Sequence, residues 1–81
     1  MTTRNVDLVP NEYRLITDED AFLTHNTDDN NIYVVFADSA PAMGSIKPHP
    51  LTPGEALRRD GLTGDLYGFS QSPLAEIPVS E

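Results

Sequence analysis

Proline stands at positions 10, 41, 48, 50, 53, 73 and 78 of this 81-residue chain. Each proline fixes its own φ and removes a backbone donor. Each also pushes the residue before it out of the helical region. Only 12 to 24 offers a window of about 11 residues, free of Pro and Gly, with even a trace of 3.6-residue periodicity. Helices are therefore a poor reading, and short strands separated by turns are the better one.

The strand signals are specific. Glu12 to Thr17 alternates at its start, with Tyr13 and Leu15 on one face. Asp18-Glu19-Asp20 reads as a charged turn and Ala21 to Thr24 as a second short strand. Residues 25 to 31, HNTDDNN, form a loop, because Asn and Asp favour turns. Ile32 to Ala37 is apolar on both faces and belongs at the centre of a sheet, covered on both sides. Residues 38 to 50 form a loop in which Lys47-Pro48-His49-Pro50 is extended. Asp65 to Ser70 is a strand with Tyr67 and Phe69 on one face, and Gly68 inside it marks a bulge or a close backbone approach. Leu74 to Ser80 is the last strand, and Pro78 argues that it lies at an edge.

Four of the five glycines fall within PGEALRRDGLTGDLYGFS, residues 53 to 70. Thr52-Pro53-Gly54-Glu55 fits a helix-capping box, with Pro53 at the first helical position. It also fits a type II turn, with Gly54 at the positive-φ position. The helix would be about two turns long and marginal alone, and Gly54 would weaken its first turn. The turn is favoured. Glu55 to Arg59 is then a strand, and 60 to 65 is the next reversal.

A chain of this length is one domain, residues 1–81, with residues 1–11 available as an extended N-terminal arm. The expected fold is all-β, a small antiparallel β-sandwich or flattened barrel of six to seven short strands. Its main core residues are expected to be Leu15, Phe22, Ile32, Val34, Phe36, Leu57, Leu66, Phe69, Ile77 and Val79. That core is thin. Only 38 % of residues are hydrophobic, there is no Trp, and there is no Cys to supply a disulfide or a thiolate metal site. Domains this small seldom gain much net stability from burial alone, so oligomerisation or docking on a larger body is expected.

Charge narrows the partners. Thirteen acidic residues against five basic ones leave a net charge of −8, which repels nucleic acid and anionic membrane surfaces. The start, MTTRNVDLVPNE, has no apolar h-region, and no apolar run approaches the ~18 residues of a membrane span. No signal peptide, membrane or nucleic acid is expected to feature.

Candidate chemistry is weak at each place it could occur. A phosphate cradle in PGEALRRDGLTG lacks the spacing of G-x-x-x-x-G-K-S/T or G-x-G-x-x-G, and Asp60 and Asp65 would repel phosphate. A calcium loop in Asn26 to Asn31 fails at positions 6 and 12 of an EF-hand, whether begun at Asn26 or Asp28. A solvated turn is the simpler reading there. A cupin-like metal site needs two or three converging histidines, and the chain has only His25 and His49. Ser39, Ser45, Ser70, Ser72 and Ser80 lack any G-x-S-x-G context. Arg58-Arg59 reads as a solvated strand end or half of an intersubunit salt bridge. The expectation is therefore no catalytic residue, no metal ligand, no cofactor and no enzyme.

With these turns placed, VVFADSAPA (34 to 42), LTPGEALRRDGLTGDLYGFS (51 to 70) and a short final strand ending PVSE resemble small all-β virion proteins of tailed bacteriophages. The pattern runs from a strand into F-A-x-x-A-P, then L-x-P-G-E-A, then G-L-T-G-x-L-Y-A. It covers most of residues 5 to 81. The PHP at 48 to 50 and Gly68 in place of Ala depart from it. The resemblance implies a virion structural protein, most readily a capsid decoration (cement) protein that oligomerises on the head surface. Its partners would be itself, with a trimer favoured, and the major capsid protein or another virion protein. It would be made in the host cytoplasm. A tail, neck or fibre-knob component is the alternative within the class. A small carbohydrate-binding module is the alternative outside it, requiring Tyr33 and Tyr67 to face outward, although both are better placed in or beside a core.

Overall fold

The computed structural model describes residues 3–19, 21–44, 46–58, 64–72 and 75–81. Several positions singled out above lie outside these residues: Asp20, Ser45, Arg59, 60 to 63 of the second reversal, Pro73 and Leu74. Eight strands are described: β1 (Thr3–Leu8), β2 (Arg14–Thr17), β3 (Leu23–His25), β4 (Ile32–Ala37), β5 (His49–Leu51), β6 (Ala56–Arg58), β7 (Asp65–Ser70) and β8 (Ala75–Ser80). They form two four-stranded sheets. Sheet A has the order β1-β8-β3-β6 and sheet B the order β2-β7-β4-β5. Every pairing is antiparallel. The fold is thus a small β-sandwich, as expected from the turn spacing, and no helix is present among the described residues.

The chain crosses between sheets at almost every connection, and only β4 to β5 stays within one. The turn at 52–55 is one of these crossings. Gly54 has φ of +85°, and Glu55 N–H donates to Thr52 C=O at 2.9 Å, which is the type II geometry. Thr52 N–H also donates to the Glu55 carboxylate at 3.0 Å. The Thr/Glu spacing therefore serves the turn, and a strand, β6, follows it.

Inward-facing residues alternate as a half-buried sheet requires. Val6 and Leu8 of β1, Ala75, Ile77 and Val79 of β8, and Leu57 of β6 face Ile16, Ile32, Val34, Phe36, Leu51 and Leu66 of sheet B. Phe22, just before β3, joins them and lies against Phe36, ring centroids 6.2 Å apart.

Several expectations are corrected. Two strands were not anticipated. Residues 3–8, within the segment read as an arm, pair along their whole length with β8. His49–Leu51, of which His49 and Pro50 were placed in a loop, pairs with β4. Leu15 is 44 % exposed and Ile16 is fully buried. Strand alternation puts Leu15 on the outer face with Tyr13 and Ile16 on the inner one, and the register shift between Leu15 and Thr17 then carries Thr17 inward as well. Phe69 lies on the outer face of sheet B. Phe36 and Leu57 are only partly buried, against the core. Strand β4 is internal to its sheet, but only sheet A covers it, and its other face is solvent-facing.

Pro78 is not on an edge strand, since β8 lies between β1 and β3. The β3 ladder ends at Thr24 opposite Val79. Beyond it, the Thr24 hydroxyl donates to the Pro78 carbonyl at 2.6 Å. A residue's N–H and C=O point to the same side of a strand, so the missing donor of Pro78 falls just past the end of that ladder.

Gly68 is a close approach, as expected. A Cβ there would meet Ile16 Cδ1 at 2.7 Å and the Tyr33 carbonyl oxygen at 3.0 Å.

Candidate functional site

The outer faces of the two sheets differ in kind. Sheet A turns Thr3, Asn5, Asp7, Glu76, Pro78, Ser80, His25 and Arg58 outward, with only Leu23 and Ala56 to relieve the polarity. Sheet B turns out Tyr13, just before β2, Leu15 of β2, Tyr67 and Phe69 from β7, Tyr33 and Val35 from β4, and Pro50 from β5, with Ala37 and Asp65 at one end. All three tyrosines of the chain are on this second face.

The rings form two cross-strand rows. In one, Tyr13 sets its edge on Phe69, with centroids 5.1 Å apart and planes at 87°. Tyr33, paired with Phe69 in the ladder, stacks on it at 5.2 Å and 17°. In the other, Leu15 faces Tyr67 and Tyr67 faces Val35. Cross-strand aromatic pairs add about 0.5–1.5 kcal/mol each beyond their area. Tyr13 is buried by its neighbours, and burial pushes its phenol above the usual range, so its hydroxyl stays neutral at ordinary pH. Tyr33, Tyr67 and Phe69 remain half-exposed. Such a face can pack against another apolar surface, or stack a flat apolar ligand, without further unfolding.

The other candidates fall elsewhere. Asn26 is fully buried, so the loop 26–31 is not merely a solvated turn. Its Nδ2 donates to the carbonyls of Asn30 (2.8 Å) and Leu51 (2.7 Å), and its Oδ1 accepts from Asp28 N–H (2.8 Å). Its backbone N–H donates to Glu55 C=O, and its C=O accepts from Gly54 N–H. Asn26 thus fastens the loop to β5 and to the 52–55 turn. Gly54 is engaged there and does not face a phosphate. His25 lies on the outer face of sheet A and His49 on β5 of sheet B, so they do not converge. Ser70 is fully buried and its Oγ accepts from Ser72 N–H; Ser80 Oγ meets Thr3 Oγ1. Ser39 is exposed in the 38–48 loop.

Among the described residues, one group of three potential ligands comes together: Asp18, Glu19 and Glu81. Glu81 is already committed. Arg4 reaches it with Nε at 2.7 Å and Nη2 at 3.3 Å, and the Thr17 hydroxyl donates to it. Arg4 Nη2 also donates to the Ile16 carbonyl at 2.8 Å. This clasp joins β1 of sheet A to β2 of sheet B. It holds the Glu81 carboxyl below the usual carboxylate range, chiefly through the bond from Arg4 and then that from Thr17.

The grouping of Tyr13 with Leu15, and of Tyr67 with Phe69, follows from strand period alone. Which side faced water did not, because both faces of β4 are apolar. Compared with models of known protein families, with curated proteins and with solved structures, the chain matches none.

Proposed function

We propose that this chain is a structural component of a bacteriophage virion, a decoration protein that oligomerises on the capsid surface through the aromatic face of sheet B. The observation that carries this reading is the inequality of the two outer faces, one polar and one aromatic. A contiguous apolar face of this kind marks a surface that is covered in use. The exposed Met43 and Ile46 of the 38–48 loop supply further apolar contacts. An assembly that covers this face adds the burial that a thin core lacks. The resemblance of residues 34–42 and 51–70 to phage virion proteins supplies the biological setting. A trimer is preferred by analogy with plugs at local threefold positions. Attachment to tail, neck or fibre is the variant of the same reading.

The test is co-sedimentation with undecorated heads. Wild type is expected to bind, Tyr67→Glu and Leu15→Glu to lose binding with an unchanged circular dichroism spectrum, and Glu76→Lys on sheet A to bind normally. Absence of binding by wild type defeats the decoration role.

Carbohydrate binding is favoured by one observation: Tyr33 and Tyr67 do face outward. Aromatic faces stack on the apolar faces of sugar rings. A glycan array, followed by Tyr33→Ala, separates this reading from the first.

A further inference from the structure

The sandwich is closed along one side and open along the other. On the closed side, β1 lies against β2 under the Arg4–Glu81–Thr17 clasp. On the open side stand β5, the edge of sheet B, and β6, the edge of sheet A. Among the described residues they are fastened together at one end, where Asn26 grips Leu51 and the 52–55 turn. Away from that end, β5 pairs with β4 only at Ile32, Tyr33 and Val34, so no described strand of sheet B lies beyond Val35 to Ala37. A cleft of 420 Å³ opens there, lined by Val34, Val35, Phe36, Lys47, His49 and Leu57.

Three properties of the cleft specify its occupant. Its wall is largely apolar, with Val34 and Phe36 from the inner face of sheet B, Leu57 from that of sheet A, and Val35 from the outer face of β4. One flank is β6, whose edge away from β3 carries no strand among the described residues. That edge presents backbone donors and acceptors to anything lying alongside it. Among the described residues its ionisable lining is basic, with Lys47 and His49 and no carboxylate. In a chain of net charge −8, Lys47 makes no ion pair among the described residues.

We propose that this open seam receives an extended acidic segment of a partner protein, which adds a strand to β6, lays alternate apolar side chains into the cleft and sets a carboxylate against Lys47. Strand addition of this kind takes its affinity from main-chain bonds and its specificity from pockets for alternate side chains. A second copy of the chain is disfavoured on charge, because its own β6, Ala56–Arg58, carries no carboxylate to set against Lys47. The seam shares Val35 with the outer face of sheet B but does not rest on the role of that face.

The probe is a fluorescent peptide of alternating valine and glutamate, titrated into the full chain and followed by anisotropy and by amide NMR shifts. Saturable binding is expected, with shifts at Val34–Phe36, Lys47–His49 and Ala56–Arg58. Lys47→Glu, an exposed position whose change leaves the fold intact, is expected to weaken binding at least tenfold. N-methylation of alternate peptide amides should abolish it by removing main-chain donors. Equal binding of a valine–lysine peptide overturns the proposal, as does retention of affinity by the N-methylated peptide. Shifts confined to Tyr33, Tyr67 and Phe69 overturn it too, and so does the absence of saturation at millimolar peptide. Self-association that survives a point charge on the aromatic face and is lost on Lys47→Glu assigns the seam to a second copy and also overturns it.

Discussion

Asn26 and Gly68 show how much a single side chain, or its absence, decides. Removing the Asn26 amide strands the Leu51 carbonyl and withdraws the partners of Asn30 and Asp28. Each buried group left unpaired costs about 1–3 kcal/mol. Asn26→Ala is therefore expected to lower the urea midpoint strongly. Asn26→Asp keeps only the bond from Asp28 N–H and should be nearly as damaging. A midpoint within error of wild type would show that Asn26 does not hold the turn. Gly68→Ala drives a methyl against Ile16 and the Tyr33 backbone, and overpacking of this kind costs about 1–3 kcal/mol. Trimming the obstacle with Ile16→Val should recover part of the loss, so a thermal melt of the double variant tests the contact directly. Gly68 was legible as a close approach because a glycine inside a strand has few other uses. Asn26 was not legible. In the sequence it is one polar residue among HNTDDNN, and its burial arises from β5 and the turn folding over it, from more than twenty residues away.

At the scale of elements, proline placement and turn chemistry revealed the number of layers better than the edges. β1 was hidden because only Val6 and Leu8 of its six residues face the core. β5 was hidden because two prolines flank His49, though the extended backbone they impose is what the strand uses. Pro78 misled because the rule about edges concerns where a missing donor points, and here it points past a ladder's end. Since β1 is a strand of sheet A, deleting residues 3–9 removes Leu8 and half of the clasp. The truncated chain is expected to lose its cooperative melt, where a free arm would leave the melt unchanged. The clasp also predicts a pH dependence. The folded state lowers the Glu81 pKa from 4.5, so the unfolded chain binds this proton more readily. The clasp's stabilisation is full above the ordinary carboxylate range and is lost as pH falls through the lowered value. The melting difference between wild type and Glu81→Gln should accordingly shrink on acidification. A difference that grows in acid would refute the assignment.

The whole molecule is a sandwich with unequal surfaces. Sheet A is polar outside, sheet B is aromatic outside, one seam is clasped and the other is open. The composition had pointed to a thin core in want of further burial. It could not say where that burial would be found, because β4 reads as apolar on both faces whether its second face meets another layer or water. The fold answers with a half-exposed ring cluster on one sheet. Size-exclusion and sedimentation experiments on wild type and Tyr67→Glu measure whether that cluster drives self-assembly at micromolar concentration; a monomer in both would separate the aromatic face from oligomerisation.

The alternation of the chain between sheets has a consequence for how the protein is born. Sheet A draws on residues 3–8, 23–25, 56–58 and 75–80, and its interior strand β8 is the last to be synthesised. On a ribosome, β1 must wait for the six strands between it and β8 before its partner exists. Only the β4–β5 pair can form from neighbouring residues. Sheets assembled from such distant segments fold slowly and leave apolar strands uncovered meanwhile. Thirteen acidic side chains then guard the nascent chain against its own copies, through mutual repulsion, during the interval before the sandwich can close.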